Sequence, residues 1–189
     1  MVGSPIYWAF YFCVFGEIFS LIPYSIIRKE VNIIKILCFD QATKISGYSL
    51  FEDKKLITYG ILQANEKEKN PIERMKQMND KLAKLIDEIK PNFVVFEDTQ
   101  FQNNYGTFQQ LSQMQGILMN LLFERDIGFT IIQPSAWKSA TGVKGRKRIE
   151  QKSSAIQIVK NEFKIEPSED EADAILIGVW AINNIKLKK

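Results

Sequence analysis

The sequence predicts a mixed α/β domain over residues 31–189, built as a five-stranded mixed sheet flanked by helices. Three observations predict it. Short apolar runs of strand length alternate with longer stretches in which apolar residues recur every three or four positions. The first three runs follow one another like a β-meander, whereas the later ones are separated by helical patterns, as in a crossover connection. The chain, 46% hydrophobic and 25% charged, is also long enough for one packed core at ~100–150 residues per domain.

Each element has its own signal. Residues 32–39 form an apolar run consistent with a central strand buried on both faces. Residues 45–51 and 55–62 follow as short strands around the turn Glu52-Asp53-Lys54. Residues 71–89 read as a helix with Pro71 in its first turn, and Ile72, Met75, Met78, Leu82, Leu85, Ile86 and Ile89 mark one face. Residues 92–97 give a second buried strand behind Lys90-Pro91. A helix over about residues 105–125 leads to a short strand at 129–133. The remainder is helical: a turn at 135–140, then helices over about 148–163 and 169–185. Met114, Leu118 and Leu122 read as core, with a subunit interface as the alternative, and Trp137 as core or subunit packing.

Residues 1–30 have a different composition. The span 6–27 carries a single charge, Glu17, and is long enough to cross a bilayer, with Arg28-Lys29 as a cytoplasmic flank. Glu17 near its middle and Pro23 argue against an anchor, and the span lacks the features of a secretory signal. Arg28-Lys29-Glu30-Val31 can be encoded by a purine run resembling a ribosome-binding site. The expectation is therefore a hydrophobic leader, an over-long start first, then a membrane segment, with a docked helix as the remaining reading, ahead of a functional domain at 31–189. A cytoplasmic protein is expected, with membrane anchoring as the alternative if the segment is genuine.

Composition removes several chemistries. There is no histidine, so His-based triads, bases and metal ligands are excluded. Cys13 and Cys38 are too few for a disulfide scaffold and suggest a reducing compartment. Acid–base or metal chemistry must rest on carboxylates and lysines.

Four carboxylates stand out. Asp40 closes the first core strand and Glu97 closes the run Phe93-Val94-Val95-Phe96-Glu97. An acid at the carboxyl end of such a strand points into the crevice where α/β ligands bind. Asp170 and Asp173, three apart at the start of the last helix, share a face there and are favoured by its dipole. Clustered carboxylates repel one another unless a hard cation offsets them, and Mg²⁺ or Mn²⁺ take oxygen ligands. Paired ions ~4 Å apart can activate water for phosphodiester hydrolysis. Taken singly, each acid reads better as a cap or a solvated charge; it is the four together, two at strand ends and two in an i,i+3 pair, that bring the metal site level with that reading. Asp98, Glu169 and Glu171 are read that way, since alternation aims Asp98 away from Glu97.

These residues resemble a known family. Asp40-Gln41-Ala42-Thr43-Lys44-Ile45-Ser46-Gly47-Tyr48 is similar to the D-P-G-[S/T]-x-x-x-G-[Y/W] opening of RuvC-type Holliday-junction resolvases. Phe96-Glu97 resembles their second catalytic position. Gln133-Pro134-Ser135-Ala136-Trp137-Lys138 resembles their T-P-x-x-V-K segment, and Asp170-Glu171-Ala172-Asp173-Ala174 their closing D-A-A-D-A. Order and spacing match over about residues 33–182. The resemblance implies an RNase H-like fold, a homodimer, Mg²⁺ dependence with Mn²⁺ as a substitute, two ions per site, and paired nicking of four-way DNA in recombination and repair. It makes Asp40, Glu97, Asp170 and Asp173 the catalytic, metal-binding acids. Gln41-Ala42 departs from the Pro-Gly pair and the basic loop after Lys138 is spaced differently, which loosens the expected selectivity and fits a phage-type member.

The substrate-holding residues follow. Residues 134–164 hold eight basic and two acidic side chains, so their net charge of +6 is twice that of the chain. Lys138, Lys144, Arg146, Lys147, Arg148 and Lys152 lie in its dense part, with Gly142 and Gly145 supplying loop freedom. Such a cluster neutralises phosphates and makes binding salt-dependent; a solvated helix face is the plain alternative. By position relative to the lysines of the family it resembles, Lys138 and Lys144 are expected nearest the scissile phosphate. The uncharged run from Gln100 to Gln110 offers Phe101 and Tyr105 for stacking on an unpaired base, or else a polar helix start with Phe101 and Phe108 in the core. The leading expectation is a metal-dependent, structure-selective DNA endonuclease with no small-molecule cofactor. An RNase H-like nuclease on RNA/DNA hybrid or general branched DNA, and a catalytically inert nucleic-acid-binding module, are the alternatives.

Overall fold

The computed structural model describes residues 33–101 and 103–186. Along the chain run β1 (Lys35–Asp40), β2 (Ile45–Glu52), β3 (Lys55–Gln63), α1 (Pro71–Ile89), β4 (Phe93–Glu97), α2 (Tyr105–Phe123), β5 (Gly128–Ile132), α3 (Pro134–Thr141), α4 (Arg148–Phe163) and α5 (Glu169–Asn184). The strands form one sheet in the order β3-β2-β1-β4-β5. β1 pairs antiparallel with β2, and β2 with β3, while β1–β4 and β4–β5 are parallel. The five-stranded mixed sheet is therefore the one expected from the sequence.

Alternation along the central strands sorts side chains to two cores. Leu37, Phe39, Val94 and Phe96 face α1 and α2, packing on Met75, Met78, Leu82, Ile86, Met114, Leu118 and Leu122. Ile36, Cys38 and Val95 face the other layer, against Trp137, Ala155, Val159, Ala172, Ile175 and Leu176. A central strand covered on both faces has no exposed side to mark with polar residues, which is why β1 reads as a nearly continuous apolar run. Met114, Leu118 and Leu122 are fully buried, so they belong to the core.

Some boundaries differ from the sequence reading. β1 begins at Lys35, because its ladder with β2 runs only from Lys35↔Glu52 to Asp40↔Gly47. Ile72, in the first turn of α1, drops out of the buried stripe and is 68% exposed, whereas Met75 one turn on is buried. The turn at 135–140 is a helix of eight residues, with Pro134 in its first turn and Gly142 at its end at φ 79°.

The hydrophobic leader, including the span 6–27, lies outside the described residues. Among the described residues, no helix is long and apolar enough to cross a membrane.

Candidate functional site

Parallel pairing places Phe39 beside Phe96, so the next residues, Asp40 and Glu97, stand at adjacent strand ends. Both share the parity of Cys38 and Val95, which aims them at the α3–α5 face. Asp98, one residue on, has the opposite parity. It accepts hydrogen bonds from Gln115 on α2 (3.4 Å) and from Gln133 (2.5 Å), and so turns away from Glu97 as expected.

α5 brings the other acids to this edge. Ser168 caps it: its hydroxyl accepts from the Glu171 N–H (3.4 Å), and Glu171 accepts from the Ser168 N–H (2.7 Å). Glu171 is thus a cap, as read. Gly47, paired with Asp40 across β1–β2, lets the helix approach closely: a Cβ at Gly47 would stand 1.9 Å from the Asp170 carbonyl oxygen. Ser49 adds a hydrogen bond to the Ala174 carbonyl at 2.7 Å. With the helix start held on β2, Asp173 is buried and lines a cleft of about 450 Å³ together with Asp40 and Glu97. Asp170 lies at the margin, linked through Lys152, whose Nζ is 2.6 Å from Asp173 and 3.7 Å from Asp170.

The carboxylates are crowded and poorly solvated. Burial, followed by repulsion from Glu97 and Asp173, pushes Asp40 up to about 8 despite the opposing pull of Lys152. Burial also raises Glu97, against the Trp137 hydrogen bond and the Lys138 charge. Asp173 is raised by burial, against Lys152. Lys152 loses ionisation tendency to burial but gains more from Asp173, and its value lies above the ordinary one.

A hard divalent cation fits this donor set: the acids offer oxygen alone, and their mutual repulsion is what such an ion would offset. Among the described residues, no three carboxylate or thiol groups are gathered closely enough to hold an ion by themselves. Mg²⁺ is commonly held by one or two carboxylates, with water and substrate phosphate completing its shell, and the pair at the strand ends suits that mode.

Basic residues wall the cleft. Lys138, Arg146, Arg148 and Lys152 line it with the acids. The loop that carries Arg146 into the start of α4 at Arg148 is shaped by Glu150, which accepts from the Arg146 and Lys147 N–H groups at 2.8 and 3.2 Å. Lys144 and Lys147 are exposed and are not part of the lining. Lys144 was expected nearest the scissile phosphate; its backbone is instead tied to Ser154 on α4 (3.0 Å), and Arg146 and Arg148 take the place at the cleft. Phe101 and Tyr105 are exposed ahead of and at the start of α2, and Phe101 meets Phe108 edge-on at 5.9 Å between centroids. This disposes of the reading of Phe101 as core.

Three residues escaped the sequence reading of the site. Lys152 was seen only as part of a basic run, yet it is the counter-charge of Asp170 and Asp173. Trp137, read as packing, is buried and also donates its indole N–H to Glu97 Oε1 at 2.9 Å. Gln41 was noted only as a departure in the first turn, and its amide donates to the Glu97 carbonyl at 2.5 Å. A hydrophilic residue beside Asp40 and a large aromatic before Lys138 were the available signals.

Comparison with known proteins gives a consistent picture. The family described as crossover junction endodeoxyribonuclease RuvC matches residues 36–181. A relative of that name from Fusobacterium nucleatum is 24% identical over 158 residues, spanning 82% of this chain and 83% of its own length. Another from Alkaliphilus metalliredigens is 29% identical over 151 residues, spanning 76% and 90%. Among solved structures, Thermus thermophilus RuvC in complex with a Holliday junction superposes with a TM-score of 0.64 at 16% identity, covering 77% of this chain and 90% of that one. The yeast mitochondrial Holliday junction resolvase superposes at 0.53 and 17% identity, covering 79% and 78%. The structural likeness establishes the fold, which is RNase H-like.

Proposed function

The chain belongs to the RuvC family of crossover junction endodeoxyribonucleases, and we propose that it cuts DNA strands at four-way junctions through Asp40, Glu97, Asp170 and Asp173. As a family member it is an endonuclease that hydrolyses phosphodiester bonds and depends on divalent metal. The observation that carries the residue assignment is the cleft itself. Asp40 and Glu97 meet at adjacent strand ends and face Asp173, under a wall of Lys138, Arg146 and Arg148.

The metal is Mg²⁺, with Mn²⁺ as a substitute, and two ions serve each site. Burial and mutual repulsion disfavour the charge of Asp40, Glu97 and Asp173, and divalent cations would relieve that repulsion. Such ions, when bound, lower the pKa of water and clamp the reacting phosphate. The chain's own residues do the rest. Asp40 and Glu97 hold position at the strand ends, where the sheet ladder fixes their backbones. Asp173 and Asp170 are presented by the first turn of α5, and Lys152 balances their charge until metal and substrate arrive. Lys138, Arg146 and Arg148 bind the backbone phosphates that flank the cut, while Lys144 and Lys147 reach phosphates farther along. Phe101 and Tyr105 stack on bases unpaired at the branch point.

The partner is branched DNA, and the acting species is a homodimer whose two sites face opposite strands, so that paired nicks resolve the junction. The matched residues 36–181 lie wholly within residues 31–189, which supports reading that span as the nuclease domain. The cytoplasm, where chromosomal or phage DNA resides, is the compartment this activity requires.

The test is a labelled synthetic four-way junction incubated with Mg²⁺ and either the full chain or its Asp40→Asn variant. Plain duplex, fork and RNA–DNA hybrid run alongside. Symmetric paired nicks on the junction, lost in Asp40→Asn, are the expected outcome. Equal cutting of the fork widens the substrate to branched DNA in general, and cutting that survives Asp40→Asn overturns the assignment of the acids.

A further inference from the structure

We propose that Trp137 and Gln41 are positioning residues that clamp Glu97 from two sides and set its capacity to hold metal. The inference rests on the reading of Glu97 as a metal ligand and goes beyond it. Glu97 is the last residue of β4, and the β1–β4 ladder ends one step earlier, at Phe39↔Phe96. Its main-chain carbonyl is met instead by the Gln41 side-chain amide at 2.5 Å, which adds a rung beyond the end of β1. Its side chain is met by the Trp137 indole N–H at 2.9 Å on Oε1, which leaves Oε2 for the cleft.

Both donors are rigidly placed. Trp137 is 1% exposed and packs in the core under α3–α5, with the Lys138 ammonium 5.3 Å from its ring centroid. Gln41 is 6% exposed, and its Oε1 is buried without a hydrogen-bond partner. An amide that tolerates an orphaned acceptor is held there by what its N–H does. A carboxylate bonded by a fixed donor loses rotational freedom that it would otherwise have to give up on binding an ion. Gln41 and Trp137 also stand where the family pattern quoted above carries Pro and Val, whose side chains have no N–H to donate. Two departures from the pattern, distant in sequence, thus converge on one acid.

The test uses the full chain with Trp137→Phe and Gln41→Met, which keep bulk and remove the donor. Mn²⁺ binding is measured by calorimetry, and the Mg²⁺ midpoint by single-turnover junction cleavage. Junction affinity without metal and thermal melting serve as controls. Each variant is expected to weaken metal binding about tenfold or more, to regain cleavage to within about threefold at saturating Mg²⁺, and to bind the junction as the parent does. In a Glu97→Gln background, Trp137→Phe is expected to move the metal midpoint no further, because its effect passes through the carboxylate.

A parental metal midpoint in both variants overturns the clamp, as does a Trp137→Phe loss that adds in full to that of Glu97→Gln. If Trp137→Phe does not fold, Gln41→Met decides alone. If Glu97→Gln by itself binds Mn²⁺ like the parent, what has failed is the assignment of Glu97 as a ligand, and the clamp falls with it.

Discussion

Asp40 is the residue whose ionisation the fold opposes most openly among the site acids. Its carboxyl sits at about 8, against an ordinary value of 3.8, because burial and the neighbouring Glu97 and Asp173 disfavour its charge. A group raised on folding contributes stability that is fully present below its unfolded value and lost as pH rises through its folded value. The metal-free protein is therefore expected to lose stability progressively from about pH 4 to about pH 8, with Glu97 and Asp173 acting in the same direction. Thermal melts across that range in chelator check this. Asp40→Asn should flatten the slope and raise the metal-free Tm at pH 8 by roughly 2–4 °C per kcal/mol of relieved repulsion, while abolishing cleavage. Protons and metal compete for the same oxygens, so at limiting Mg²⁺ the cleavage rate should rise with pH, and more Mg²⁺ should shift that rise to lower pH. A pH profile unmoved by Mg²⁺ would contradict the metal role of these acids.

At the scale of elements, the site depends on where α5 begins. Gly47 on β2 admits the Asp170 carbonyl at a distance no side chain allows, so Gly47→Ala must push the helix start outward or distort the strand. The expected loss is about 1–3 kcal/mol of stability, accompanied by a large fall in cleavage as Asp173 leaves the cleft. Ser168→Ala makes the comparison. It removes the cap at a cost of about 1 kcal/mol but leaves the close approach at Gly47 intact. Melting and cleavage measured on both variants separate placement from stability. Cleavage should track Gly47→Ala far more than Ser168→Ala, and equal falls in both would show that stability alone governs activity.

For the whole molecule, charge is arranged rather than abundant: a chain of net charge +3 concentrates +6 over residues 134–164. Junction affinity should therefore fall steeply with salt, and a combined Arg146→Ala and Arg148→Ala variant should reduce the slope of log affinity against log salt by about 2. Asp40→Asn should leave that slope unchanged, and filter binding over a salt series distinguishes the two. Much of this organisation was legible in the residues themselves. Alternation in Ile36, Cys38 and Asp40, and in Val95 and Glu97, declares both strand-end acids to one face, and the three-residue step from Asp170 to Asp173 declares one side of a helix. These are local periodicities, set by backbone geometry within a few residues, so hydrophobic patterning alone carries them. The contacts that support the acids are of another kind. Lys152 meets Asp173 across 21 residues of sequence, Trp137 meets Glu97 across 40, and Gln41 meets Glu97 across 56. No periodicity links such pairs. They exist because the parallel β1–β4 register and the packing of α3, α4 and α5 on one face bring distant chain segments within hydrogen-bond reach. Backbone periodicity alone turns Asp40 and Glu97 toward one face, whereas the side chains that hold Glu97 there come from segments that only the packed fold brings together.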